Sequence, residues 1–219
     1  FTLDPAFALR RTLLVPAHGK ASGIFWTIAA PSRAEVDQAV THFAHEESFA
    51  YEAMQAWTRS QIQLRHANSD LIEAALFKRL ASYLIWPYPT LRPASATSKL
   101  APQSALWPMG ISGDFPIMVL RIDTSDDIAV ARKALRAQSY LNNRGLATDL
   151  VIVNERVASY VQDLQTTLEE IAETARAGSH VPGSRDHIFT LRRDTLADAS
   201  YQALLAVARI VLHARDGQP

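Results

Sequence analysis

The second half of the chain alternates short apolar runs with amphipathic runs, three times over. Strands that are apolar throughout and separated by helices are typical of a parallel sheet covered on both faces. We therefore predict an α/β domain over 105–219, a βαβαβα unit whose three parallel strands are joined by right-handed crossovers. Its predicted strands are 117–122, 149–153 and 187–191, and its predicted helices are 126–143, 158–177 and 197–214.

The first 31 residues have the composition of β-strands and do not show the alternation of strands and helices. Residues 9–29 are rich in β-branched and aromatic side chains on both sides of His18-Gly19-Lys20, which predicts two strands joined by a turn. An isolated hairpin is marginal in water, so we expect this one to complete a larger sheet, as the end of a β-sandwich. Its apolar side chains are then expected to be exposed in this chain; they are Leu13, Val15, Phe25 and Ile28.

Residues 32–104 are predicted to be a helical segment that ends in a proline-rich connection. Ser32 with Glu35, and Asp70 with Glu73, match capping boxes that start helices. The stretch "PYPTLRPASATSKLAPQS", 87–104, is typical of a long irregular connection. The predicted fold class is therefore mixed α/β, with a hairpin and a helical segment before the parallel-sheet unit.

Two glycines precede the first predicted strand in "LWPMGISGDFPIMVLRI", 106–122. Phosphate-binding loops place their glycines after a strand, at the start of a helix, so this stretch does not match a nucleotide loop. We interpret Gly110, Gly113 and Asp114 as a structural loop, in which the glycines permit a tight turn and Asp114 accepts hydrogen bonds.

The carboxyl ends of the predicted strands are the candidate binding site, because ligands of open α/β sheets bind there. Asp123 follows the first strand and Asn154-Glu155 follow the second, and together these groups suit a sugar or a cation. The competing interpretation is that they are helix caps and solvated loop residues. Trp107, beside the glycine loop, is a further candidate because indole rings stack on sugars.

Composition excludes several classes of function. The 22 basic and 22 acidic residues balance and are interspersed, so no electrostatic footprint for nucleic acid is present. Cysteine is absent, which excludes thiolate metal sites and cysteine nucleophiles. No apolar run is long enough to insert into a membrane, and no residue pattern predicts a catalytic group, a metal site or a cofactor.

Several long motifs resemble the cyclic β-1,2-glucan synthases of bacteria, and their relatives among the phosphorylases of glycoside hydrolase family 94. They cover most of the chain: "LRRTLLVPAHGKASGIFWTIAAPSRAE", "AWTRSQIQLRH", "LWPMGISGDFPIMVLRI", "ALRAQSYLNNRGLATDLVIVNERVASYVQDLQ" and "LLAVARIVLHARDG". The resemblance implies an internal fragment of a very large inner-membrane protein that polymerises and cyclises glucose from UDP-glucose. This segment would lie on the cytoplasmic side, in the phosphorylase-like region.

The resemblance brings no catalytic residue onto any position of this chain. It implies two hypotheses. In the first, the chain is a non-catalytic segment whose partners are the other domains of the parent chain, which it packs and orients. In the second, it is a carbohydrate-binding α/β module that holds the β-1,2-glucan through Trp107 and the strand ends.

Overall fold

A computed structural model describes residues 8–66, 69–86, 88–92, 102–156, 163–178 and 187–216. The chain forms two compact units, one up to Ser60 and the other from Gln61 onward. Among the described residues, none of the helices combines the length and the apolar character that crossing a bilayer requires.

The first unit contains helix α1, Arg33–His42, and most of helix α2, Glu46–His66. The N-cap predicted at the start of α1 is present, because the Ser32 side chain accepts a hydrogen bond from the Glu35 N–H. The Ser32 hydroxyl also donates to the Glu35 carboxylate at 2.8 Å. The Trp26 ring stacks on Phe43 with 4.5 Å between ring centroids. The segment before α1 is thereby held against the helices by an aromatic contact.

The predicted N-terminal hairpin is corrected by the structure. The described residues 8–31 contain no strand and no helix. The reversal itself is present, because the Gly19 N–H donates to the Pro16 carbonyl at 3.0 Å and His18 has a φ of 60°. A two-stranded ribbon without a third strand gains little from pairing, which explains why the turn forms without the ladder.

The predicted exposure of this segment is largely confirmed. Leu13, Val15 and Phe25 are exposed. Ile28 differs, since it is half-buried.

The second unit is the predicted parallel α/β structure, and its sheet has the order β3-β2-β1-β4. All three neighbouring pairs of strands are parallel. Its elements are α3 (Leu71–Ile85), β1 (Ile117–Ile122), α4 (Ile128–Asn143), β2 (Asp149–Asn154), α5 (Asp163–Ala177), β3 (Ile188–Arg192), α6 (Asp198–Val207) and β4 (Ile210–His213). Residues 93–101 of the proline-rich connection and the start of the predicted helix 158–177 lie outside the described residues.

The sheet has four strands in the described residues, so the prediction of three is wrong. The predicted helix 197–214 is in fact α6 followed directly by β4. Met118 of β1 pairs with Ile210 of β4, on the side of β1 away from β2. Pairing with an uncovered strand edge outweighs the helix propensity of a short apolar run, because each added residue satisfies its backbone groups in the ladder.

Alternate residues of β1 pack into separate cores on the two faces of the sheet. Met118, Leu120 and Ile122 belong to a core with α3, α4 and α5, whereas Val119 belongs to one with α6 and the short 3-10 helix Gln103–Met109. This alternation is the period of two that an extended strand imposes on its side chains.

Helix α3 packs against α4 within the second unit. The Phe77 and Tyr140 rings lie 5.6 Å apart, and Arg136 donates to Glu73 at 2.5 Å. The division between the two compact units falls within α2.

Candidate functional site

The glycine loop forms the entry to β1. Gly110 ends the 3-10 helix with a φ of 76°, and Gly113 has a φ of 81°. The Gln103 side-chain amide donates to the Ser112 carbonyl at 2.8 Å and to Asp114 Oδ1 at 3.1 Å. Asp114 thus takes part in a loop that Gln103 ties to the preceding helix.

The two glycines of this loop provide a matched pair of substitutions. Alanine strains the left-handed backbone at both positions. A Cβ at Gly113 would also lie 2.9 Å from Gln103 Cγ and 3.0 Å from Leu106 Cδ1, whereas a Cβ at Gly110 would have no neighbouring atom within 4 Å. We expect Gly113→Ala to lower the free energy of unfolding by about 1–2 kcal/mol more than Gly110→Ala does. Urea unfolding of both variants measures the difference, and equal losses would contradict the close packing at Gly113.

The carboxyl edge of the sheet holds a bidentate ion pair. Arg121 of β1 donates to the two oxygens of Glu155, which follows β2, at 2.7 and 2.6 Å. The Tyr201 hydroxyl, from α6, donates to Glu155 Oε1. The Arg193 guanidinium lies over the Tyr201 ring, 4.3 Å from its centroid. Strand ends and α6 are therefore joined by one hydrogen-bonded network.

The pKa values in this network follow from burial and pairing. Burial favours the protonated form of Glu155, but hydrogen bonds from Arg121 and Tyr201 and the charge of Arg121 outweigh burial and hold its pKa below the usual value. Burial first, and then the hydrogen bond to Glu155, raise the pKa of Tyr201 to about 12. Glu155 is thus an anionic acceptor near neutral pH, and Tyr201 is a neutral donor.

Asp123 lies at the switch point of the sheet, where β4 joins β1 on the side opposite β2. Its Oδ2 is 3.1 Å from His213 Nε2 and 2.9 Å from Arg215 Nε. Open α/β sheets bind their ligands beside such a switch point. In this chain the carboxylate at that position is bound by two residues from the end of β4.

Asp123, Glu155 and His213 each offer a ligand atom, and these atoms lie within 4.8 Å of one another. Three such groups match the donor types of a divalent-cation site. However, Arg121 and Arg215 already bind the two carboxylates, and their positive charges oppose a cation at the same position. The geometry therefore favours a network of ion pairs over a metal centre.

The other two predicted site residues, Asn154 and Trp107, do not belong to this network of ion pairs. Asn154 is buried, and it donates to Gln165 Oε1 at 3.2 Å while its Oδ1 accepts the Arg156 N–H at 3.0 Å. Trp107 is exposed on the 3-10 helix that precedes the amino end of β1, whereas Asp123 and Glu155 follow the carboxyl ends of strands. The structure brings Asp123 and Glu155 together, and it places Trp107 on the approach to the opposite edge.

A second polar pair lies at the amino edge of the sheet. Asp149, the first residue of β2, is buried, and its Oδ1 is 2.7 Å from Nδ1 of His187, which precedes β3. In the described part of the chain, Asp149 Oδ2 has no hydrogen-bond partner. Burial raises the pKa of Asp149, with a further contribution from the charge of Asp114, although His187 counteracts both.

The raised pKa of Asp149 predicts a pH dependence of stability. The contribution of this carboxyl group to the free energy of unfolding is fully present below its pKa in the unfolded chain, about 3.9. It is lost as the pH rises through the higher pKa of the folded protein. We expect the unfolding free energy of the wild type minus that of Asp149→Asn to fall across that window, by no more than about 1.4 kcal/mol per pH unit. Urea unfolding at several pH values measures it.

Asp126→Asn serves as the control for this pH series, because Asp126 is exposed. Its difference from the wild type shows how the loss of an exposed carboxylate alters stability over the same pH range. A difference for Asp149→Asn that rises with pH would contradict the assignment.

Sequence reasoning missed Arg121, Tyr201, His213 and the Asp149–His187 pair. Arg121 could have been identified from the sequence, since a charged residue within an apolar strand needs an oppositely charged or hydrogen-bonding partner. Asp149 and His187 gave a similar indication, because each is a polar residue at the start of a predicted apolar strand. His213 could not be placed, because β4 was predicted as part of a helix.

Comparison with protein-family models finds no match for this chain. Comparison with characterised proteins finds 51% identity over 219 residues to the cyclic beta-(1,2)-glucan synthase NdvB of Rhizobium meliloti (strain 1021). The match covers 99% of this chain and 8% of that protein, so the chain spans a small part of its relative's length. Such identity over nearly the whole chain shows that it is homologous to a segment of a cyclic beta-(1,2)-glucan synthase.

Proposed function

We propose that this chain is a non-catalytic segment of a cyclic β-1,2-glucan synthase, which packs and orients neighbouring carbohydrate-active domains of the parent protein. Its partners are those domains. The phosphorylase-like character of the surrounding region, and a position on the cytoplasmic side of the bacterial inner membrane, belong to the same proposal. Both rest on the family resemblance of the motifs.

The observation that supports this role is the pairing at the carboxyl edge of the sheet. Glu155 is bound by Arg121 and Tyr201, and Asp123 is bound by His213 and Arg215. A catalytic carboxylate needs access to its substrate, and a ligand at this edge would have to replace these charge-assisted hydrogen bonds. The network instead ties β1, β2, α6 and the end of β4 together, as a structural element requires.

The second candidate is a carbohydrate-binding module that holds the β-1,2-glucan. The exposed indole of Trp107 favours it, since 63% of that residue remains accessible. Exposed aromatic rings stack on the apolar faces of sugar rings. In a binding module of this kind, the glucan contacts the surface beside the glycine loop rather than the paired charged groups at the carboxyl edge of the sheet.

Calorimetric titration of the purified chain with β-1,2-glucooligosaccharides separates the two candidates. We expect no saturable heat of binding. In separate assays of product formation, we expect no glucose transfer from UDP-glucose and no phosphorolysis of β-1,2-glucans. Saturable binding that Trp107→Ala abolishes would establish the binding module. Turnover by the purified chain would overturn the proposed function.

A further inference from the structure

Helix α3 has one face in the core and the opposite face exposed. Ala74, Phe77 and Leu84 are its buried residues. With 3.6 residues per turn, every exposed position of the helix falls within an arc of about 140° on the other side. These positions and the cap residue after them, here named the outer face of α3, are Leu71, Ile72, Ala75, Lys78, Arg79, Ser82, Ile85 and Trp86.

The large side chains of the outer face are apolar at both ends of the helix, and its charges are all positive. The exposed apolar side chains are Leu71, Ile72, Ile85 and Trp86. Lys78 and Arg79 stand midway between these two ends. The nearest acidic residue before the face, Asp70, is the N-cap of the helix and accepts a backbone N–H at 2.7 Å. The outer face is therefore both apolar and basic.

Helix α5 of the same unit shows the composition of a solvated helix face. Its exposed positions include Glu169, Glu170 and Glu173, and none of them carries a large apolar side chain. A contiguous apolar patch is unfavourable in water and is typical of a contact surface. Since 75% of Trp86 is accessible, the outer face of α3 has the character of a contact surface and not of a solvated face.

The position of the basic residues indicates the kind of contact. The middle of a protein interface is the part most fully removed from water, and lysine is depleted there because its charge has to be desolvated. On an anionic bilayer, the apolar ends of the face enter the interface while Lys78 and Arg79 extend to the lipid phosphates. Charge in the middle of the face therefore favours a lipid surface over a protein.

The carboxyl end of α3 also has the residue types of a membrane–water interface. Tryptophan and tyrosine concentrate there, because the ring is apolar and its N–H or O–H group remains hydrated. Tyr88, two residues after Trp86, is exposed as well. The helix has 15 residues and its inner face is part of the core, so it can lie in the plane of a bilayer surface without leaving the fold.

We propose that the outer face of α3 binds the surface of an anionic lipid bilayer. Its apolar and aromatic side chains enter the interface, and Lys78 and Arg79 pair with lipid phosphates. This site goes beyond the proposed packing role and does not depend on it, because lipid binding requires neither glucan nor a neighbouring domain.

Co-sedimentation of the purified chain with vesicles tests the proposal. We expect saturable binding to vesicles of equal parts phosphatidylglycerol and phosphatidylcholine, which weakens as the salt concentration rises. Vesicles of phosphatidylcholine alone should bind the chain at least about tenfold more weakly. Absence of binding to the anionic vesicles would overturn the proposal and leave a neighbouring domain as the occupant of this face. Equal binding to both kinds of vesicle would overturn it too.

Charge reversal tests whether the basic pair is the site. Lys78→Glu with Arg79→Glu is expected to lower the affinity for the anionic vesicles at least about tenfold. Lys20→Glu with Arg132→Glu makes the same change in net charge at exposed positions outside the face, and should lower the affinity less than about threefold. Equal losses in the two variants would show that only the net charge of the chain matters, and would overturn the site.

A second matched pair of variants tests the apolar contribution. Ile85→Ser with Trp86→Ser should also lower the affinity at least about tenfold. Met54→Ser with Trp57→Ser, at exposed positions of α2, should change it less than about threefold. All four side chains are exposed, so the fold is retained, and circular dichroism verifies this. Binding that survives the loss of Ile85 and Trp86 would overturn the proposal.

Discussion

Phe77→Ala is expected to lower the free energy of unfolding of the second unit by about 3–5 kcal/mol. Phe77 is 3% accessible and packs on Tyr140 of α4, so its removal leaves a cavity between α3 and the helix that covers the sheet. The loss follows from the lost burial of the ring and from the cavity that remains. Urea unfolding followed by circular dichroism measures it.

Ile72→Ala is the matched control on the same helix, because Ile72 is 75% accessible. We expect it to change the free energy of unfolding by less than about 0.5 kcal/mol. Equal effects of the two substitutions would show that α3 does not contribute to the core of the α/β unit.

Glu155→Gln is expected to lower the free energy of unfolding by about 2 kcal/mol near neutral pH. The glutamine keeps the shape of the side chain but leaves the charge of Arg121 without its partner. The value is below that for a fully buried pair, because Arg121 remains about a third exposed. Glu173→Gln removes an exposed carboxylate that pairs with Arg176, and it should change stability by less than about 0.5 kcal/mol.

The lowered pKa of Glu155 gives this substitution a pH signature. The stability that the carboxylate provides is present above its unfolded pKa of about 4.3, and it is lost as the pH falls through the lower folded pKa. The unfolding free energies of the wild type and of Glu155→Gln should therefore converge in acid. A difference that stays constant through that window would show that the charge of Glu155 is not what stabilises the network.

The first three strands could be predicted because each is a short, mainly apolar run that alternates with an amphipathic helical pattern. Strand β4 could not, since Ile210–His213 follows α6 without a glycine or a proline, and a short buried strand has no periodicity that distinguishes it from helix. The residues on both sides of the turn at Pro16–Gly19 have strand propensity. A stable strand also needs a sheet to pair with, and local sequence does not show whether such a sheet is present.

The position of the candidate site was predictable, but its chemistry was not. Parallel strands bring their carboxyl ends to one edge, which is why Asp123 and Glu155 lie close together. Their charge state depends on residues distant in sequence, since Tyr201 reaches Glu155 from α6 and Arg215 follows β4. Sequence therefore located the carboxylates, while tertiary structure determined that they are paired.

The strand order also affects how the chain can fold during synthesis. Of the four strands that the structure describes, β1 is the first to leave the ribosome, yet one of its edges is covered only by β4, the last of the four to be made. At translation rates of about 5–20 residues per second, that hydrogen-bonding edge stays uncovered for seconds after β1 and β2 can pair. During this interval the nascent sheet can recruit a foreign strand, so chaperone protection would matter most before Ile210–His213 emerges.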